Sequence, residues 1–145
     1  MNNENIVKVK LCKNAIMPTK GSAGAAGSDL YAFVENGNVD IQPGDRKLIN
    51  TGTQLCIPSW CYARIAPRSG LAVKGIDISA GVVDSDFRGE IHVLVVNNSK
   101  KVFTVKHGDR IAQMILEKII NPVFVETEFL DSTDRGENGF GSTGV

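Results

Sequence analysis

Apolar and polar residues alternate along this chain in short stretches, and glycine, proline, asparagine or aspartate ends each stretch before it grows long. Ile6 to Leu11 alternates in this way, as does Val39 to Gln42 ahead of the turn Pro43-Gly44-Asp45. Leu48 to Ile57 and Trp60 to Ala66 follow, divided by Pro58-Ser59. Ile91 to Val96 is apolar enough for a strand buried on both faces, ended by Asn97-Asn98-Ser99. A period of two puts successive side chains on opposite faces of a sheet, so these stretches predict β-strands. Many short strands with regular turn signals predict a sandwich or barrel. No repeat of about 20–50 residues is present, which sets a solenoid aside.

One segment reads two ways. Ile111, Ile115 and Ile119 recur at a spacing of four, as on one face of a helix, yet Ile111, Gln113, Ile115, Glu117 and Ile119 also alternate as in a strand. Periodicity alone favours helix over Asp109 to Ile120. A short helix is also expected from Ser69 to Lys74.

The last fifteen residues, DSTDRGENGFGSTGV, differ in character: Gly136, Gly139, Gly141 and Gly144 surround a single aromatic, Phe140. Such a segment buries too little apolar area to offset the entropy lost on ordering. The expectation is a β domain over residues 1–130 and a flexible arm over 131–145. The arm is either a plain disordered tail or a cover that orders over a ligand, because glycine lets backbone N–H groups converge on phosphate oxygens.

Length and charge narrow the ligand. The 145 residues suit one domain. Sixteen basic and sixteen acidic side chains cancel, which argues against a nucleic-acid partner held by bulk charge. Lys100, Lys101 and Lys106 form the densest basic patch and read as solvated surface. A polyanionic ligand must therefore be held by locally placed groups. Cys12, Cys56 and Cys61, odd in number and without CxxC spacing, make neither a disulfide framework nor a zinc site. The first dozen residues lack the apolar stretch of a signal peptide, and runs such as Val93 to Val96 are too short to cross a bilayer. The expectation is an intracellular protein, cytoplasmic or nuclear, with reduced thiols and no membrane partner.

The candidate chemistry lies in five places. Gly139 to Gly144 matches GxGxxG, but the dinucleotide fingerprint needs a strand before it, a helix after it and an acid about twenty positions on. Here only one residue follows the last glycine. What the segment does offer is a guanidinium at Arg135, an aromatic at Phe140 and hydroxyls at Ser142 and Thr143, suited to phosphate contact and base stacking. Pro67-Arg68-Ser69-Gly70-Leu71 is a plausible anion-binding turn entering a short helix, or an ordinary Ser-capped turn. Gly81 to Gly89 carries Asp84 and Asp86 around a tight turn, followed by Phe87 and Arg88. Its acids either face water, as turn aspartates commonly do, or one of them takes a proton from water. Gly27-Ser28-Asp29-Leu30 and Gly108 to Gln113 complete the set. His92 and His107 lack a partner pattern for metal binding or catalysis.

In this order the five segments resemble the motifs of the trimeric dUTPase (deoxyuridine triphosphate nucleotidohydrolase) family: AGSDLYA from Ala26, PRSGLAVKG from Pro67, GVVDSDFRGEIHV from Gly81, GDRIAQMIL from Gly108 and RGENGFGSTG from Arg135. The resemblance implies an all-β, jelly-roll-like fold with one short helix. It implies a homotrimer whose three sites each draw on all subunits, with the arm of one closing over its neighbours' site. It also implies that Asp109 to Ile120 is mainly strand, against the periodicity.

The activity implied is hydrolysis of dUTP to dUMP and pyrophosphate with Mg²⁺ on the triphosphate, limiting uracil in DNA and supplying dUMP. By the resemblance Asp84 is the general base for the water attacking the α-phosphorus; an aspartate is ordinarily ionised at neutral pH. Gln113 holds that water. Arg68, Ser69 and Gly70 contact phosphate, with Ser69 near the departing bridging oxygen, and Asp29 meets the metal through water. Gly81, Val82, Val83 and Asp84 read uracil without room for a 5-methyl, and Phe87 lies under the deoxyribose and excludes a 2′-hydroxyl. Arg135, Gly141, Ser142 and Thr143 hold the γ-phosphate end while Phe140 stacks on the base. Phe87 stands where the family more often has Tyr, and Ser79 and Asn138 stand where Gly is frequent; no catalytic group is lost. Two alternatives share the fold: a dCTP deaminase, which needs a catalytic Glu, and a non-catalytic nucleotide-binding regulator, which would be expected to lose Asp84 or the arm.

Overall fold

Two sheets close on one apolar core, because the alternating stretches point one set of side chains inward from each. The computed structural model describes residues 5–139. The first sheet has the order β1 (Lys8–Leu11), β5 (Arg46–Cys56), β9 (Glu90–Asn97), β7 (Ile76–Ser79). The second runs β2 (Thr19–Lys20), β3 (Ser28–Tyr31), β11 (Arg110–Lys118), β6 (Cys61–Ala66), β8 (Val82–Val83), and neighbouring strands in both sheets are antiparallel. A two-stranded ribbon of β4 (Val39–Ile41) and β10 (Phe103–Val105) stands apart. Ile49, Ile91, Val93 and Val95 from the first sheet meet Leu30, Ala63, Ile65 and Ala112 from the second, all buried. The all-β, jelly-roll-like expectation holds, as a sandwich in which the described residues close no barrel.

Asp109 to Ile120 is a strand, as the resemblance implied and the periodicity did not. β11 carries one extra residue between Arg110 and Ala112, which pair with Tyr31 and Leu30 in turn. This bulge makes Ile111 and Ala112 both buried and shifts the phase of alternation. Ile111 therefore points into the core while Ile115 lies half-buried on the other face, so the four-residue spacing never marked a common face.

β9 departs from the expectation of a strand buried on both sides. Ile91, Val93 and Val95 fill the core, but His92 is exposed and Leu94 and Val96 are half-buried. Leu94 and Leu48 of β5 instead line a cleft described below. Asn97 ends the strand as its type foretold, fully buried with every polar atom used: Nδ2 donates to Ile41 O and Lys101 O, both at 2.8 Å, and Oδ1 accepts from Ser99 N and Oγ.

The one described helix, α1, is only Ser69–Ala72, shorter than expected, and it starts from Arg68 without a side-chain cap. After β11 the chain leaves the sandwich. Val123, Phe124, Val125, Phe129 and Leu130 are 81–92% exposed, an apolar strip that nothing among the described residues covers.

Candidate active site

The outer face of the second sheet gathers the first cluster. Gln113 on β11 stands opposite Asp29 on β3 and Ala66 on β6, so register alone brings motif side chains from three strands together. Asp29 accepts from Arg68 Nε at 2.8 Å through Oδ1 and from Arg110 Nη1 at 3.4 Å through Oδ2. Arg68 Nη1 also donates to Arg110 O at 3.3 Å. Gln113 Nε2 donates to Pro67 O at 2.9 Å, which fixes the amide beside the turn carrying Arg68 and Ser69. Gly27 is needed here for space: a Cβ would overlap the Gln113 side chain. Ser69 and Gly70 are exposed at the start of α1.

A second cluster occupies the cleft at the end of the first sheet, of about 270 Å³, lined by Leu48, Leu94, Gly81, Val83, Asp84 and Phe87 among others. Ala80 and Gly81 both have positive φ, 57° and 102°, and turn the chain from β7 into β8. At Gly81 a Cβ would strike Ile65 O, whose own N–H donates to Gly81 O at 2.8 Å. The turn after β8 closes through Phe87 N donating to Asp84 O at 3.1 Å and leaves Asp84 exposed at the lip. None of Asp29, Arg68, Ser69, Gly70 or Gln113 lines this cleft. Among the described residues of the chain the two clusters are separate.

Arg135 belongs to neither. Its Nε donates to Asn138 O at 2.9 Å within a local turn. Phe140, Gly141, Ser142 and Thr143 lie outside the described residues. Sequence reading missed Arg110, although it stands three positions before Gln113. On a regular strand that spacing puts two side chains on opposite faces, and only the bulge returns them to one side.

Lower on the same outer face, Glu117 accepts from Tyr62 Oη and Arg64 Nε, both at 2.6 Å. The Tyr62 hydrogen bond first, then Arg64, holds the Glu117 carboxyl below the usual carboxylate range, and the same carboxylate raises Tyr62 and Arg64. Burial pushes the Cys61 thiol up. Among the described residues no three His, Cys, Asp or Glu side chains cluster as a metal cage, and no helix is long and apolar enough to cross a membrane.

The fold is an antiparallel β-sandwich that carries an apolar cleft with a carboxylate at its lip and, apart from it, a cluster of guanidinium groups, features of the class that binds nucleotides. The chain belongs to the dUTPase family, whose model matches residues 13–144. It is 53% identical over 137 residues to the deoxyuridine 5'-triphosphate nucleotidohydrolase of Monkeypox virus, covering 94% of this chain and 89% of that one. It is 52% identical over 137 residues to the same-named protein of Vaccinia virus (strain Copenhagen), covering 94% and 91%. The dUTPase of Staphylococcus bacteriophage 80alpha, solved with dUPNHPP, superposes with a TM-score of 0.87 at 26% identity, over 97% of this chain and 99% of that one.

Proposed function

We propose that this chain hydrolyses dUTP to dUMP and pyrophosphate. What carries the reading is the division of labour just described: a guanidinium-rich cluster on a sheet face, and an apolar cleft with a carboxylate at its lip. Uracil and deoxyribose enter the cleft, where the backbone of Gly81 to Asp84 reads the base and Phe87 lies against the sugar. Asp84 takes a proton from water as the water oxygen attacks the α-phosphorus. The bond from that phosphorus to the bridging oxygen breaks, and pyrophosphate leaves. Gln113, pinned by Pro67 O, holds the water, while Arg68, Ser69 and Gly70 meet phosphate and the departing oxygen. Such chemistry rests on positioning and charge neutralisation, so these donors matter as much as the base. Arg135, Gly141, Ser142 and Thr143 hold the γ-phosphate end, and Phe140 stacks on uracil.

Mg²⁺ fits the donor set as a cation carried by the substrate. It keeps several waters and needs only one or two carboxylates beside phosphate oxygens. Asp29 would hold it through water, since both of its carboxylate oxygens already accept from guanidinium groups. The bound ion would neutralise charge on the triphosphate.

The enzyme is read as a homotrimer. Among the described residues the two clusters are apart and the strip from Val123 to Leu130 is uncovered; apposed copies would complete the site and bury the strip. Residues 131–145 act as an arm over a neighbour's site beyond the β domain, residues 1–130. Free thiols at Cys12, Cys56 and Cys61 suit the cytoplasm or nucleus, where deoxynucleotides are used.

The deciding experiment is pyrophosphate release from dUTP, dTTP, dCTP and UTP, with dUTP expected to be strongly preferred. Absence of release from dUTP overturns the reading, and ammonia release from dCTP moves it to a deaminase. Sedimentation equilibrium should give about three times 15.6 kDa; a fully active monomer rules out the shared site.

A further inference from the structure

The Phe87 ring rests on Gly89. A Cβ built at Gly89 would stand 2.5 Å from Phe87 Cζ, 3.0 Å from Cε2 and 3.3 Å from Cε1, whereas carbon atoms in contact settle at about 3.5–4.0 Å. Gly89 is not among the residues with positive φ, so the backbone does not demand glycine there. The ring does. Between the two in sequence, Arg88 grips the turn: Nη1 donates to Ser85 O at 2.7 Å and to Phe87 O at 2.8 Å. Together with the Phe87 N to Asp84 O bond, this ties Asp84, Ser85 and Phe87 into one unit. Phe87 is 45% exposed and lines the same cleft as Asp84. Its ring carries no hydroxyl to anchor it, so only packing and the clamped backbone set its position.

We propose that Arg88 and Gly89 form a seat that fixes the depth of the Phe87 ring and so sets discrimination between deoxyribose and ribose. Gly89 is then a specificity-determining residue and Arg88 a positioning residue. The inference rests on the reading of Phe87 as the ring against the sugar, and the geometry states how it works. The atoms that a Cβ would strike are the far end of a movable side chain, so Gly89→Ala keeps the hairpin and displaces the ring. A ring out of place no longer fills the space beside the sugar's 2′ position, and UTP gains relative to dUTP.

The experiment is a double-mutant cycle. The ratio of kcat/KM for dUTP over UTP is measured in the full-length chain, Gly89→Ala, Phe87→Ala and the double variant, with Tm to establish folding. Gly89→Ala should lower the ratio about tenfold, the lower end of what a methylene-sized misfit produces. In the Phe87→Ala background the same substitution should change the ratio by less than about twofold, because the ring it displaces is gone. Arg88→Met should also lower the ratio and also be silent without the ring, and Arg88→Lys, which keeps a cationic donor, should recover part of the loss. If Phe87→Ala lowers the ratio while Gly89→Ala and Arg88→Met do not, the seat is overturned and the reading of Phe87 stands. A ratio unchanged by Phe87→Ala overturns both. Equal losses from Gly89→Ala with and without the ring assign Gly89 a merely structural role and overturn the seat. Should Gly89→Ala fail to fold, the Arg88 pair decides by the same comparison.

Discussion

The two clusters of this site are built by different means. On the sheet face, Asp29, Gln113 and the Arg68 turn sit on three neighbouring strands, and cross-strand register brings them together before any ligand arrives. Their charges are already matched, with Asp29 between two guanidinium groups. On the hairpin, Asp84 follows a strand of only two residues and makes no side-chain hydrogen bond among the described residues. A carboxylate that must accept a proton is best left unpaired, whereas groups that must hold phosphate oxygens gain from being preorganised. The two constructions thus match the two roles proposed for these residues. The sheet supplies position, and the turn supplies an open lone pair.

The most severe challenge to this division is Asp84→Asn, which keeps shape and removes the proposed base. kcat should fall about 10²–10⁴-fold with little change in dUTP affinity, read by pyrophosphate release; near-normal turnover would move the role elsewhere, with Asp86 first to test. Next in size is removal of Arg135 to Val145, which should cost about 10²–10³-fold in kcat/KM through lost phosphate contacts. Tm should hold, since the described part of this segment buries almost nothing. Full activity after truncation makes the segment a plain terminus. On the sheet side, Gly27→Ala forces the Gln113 amide off Pro67 O without touching any reacting group, and a misplacement of that kind costs about 10²-fold in kcat. A Gly27→Ala enzyme with unaltered kcat would mean that the Gln113 position does not matter.

The smallest effect is expected away from both clusters, at Glu117. Its carboxyl is held low in the folded chain by Tyr62 and Arg64, so its contribution to stability is present above the ordinary carboxylate pKa and is lost as pH falls through the lowered one. Glu117→Gln should lower Tm slightly at neutral pH, and the difference should vanish in acid. A gap that persists below the carboxylate range would assign the effect to packing. The Arg64 and Glu117 side chains are 44% and 37% exposed, so solvent screens the pair and the effect stays small.

The local sequence was enough to find five of the eleven described strands (β1, β4, β5, β6 and β9) and the five motif segments, because alternation, turn residues and clustered functional side chains are written in consecutive positions. Pro58-Ser59 divides β5 from β6, and Asn97 stops β9, as their types foretold. Two readings failed for one reason. The helical spacing of Ile111, Ile115 and Ile119 and the both-faces burial of Ile91 to Val96 concern what lies across from a residue, and that is set by strands far away in the chain. Asp29 meets Arg68 thirty-nine positions on and Arg110 eighty-one positions on, through a register that a single inserted residue in β11 resets. Residue identities and their local chemistry were thus legible in consecutive residues. Which of them face one another, how closely other side chains approach Gly27 and Gly89, and that the sheet-face and cleft clusters stand apart among the described residues became visible only in three dimensions, because pairing across a sheet depends on register rather than on neighbouring residues.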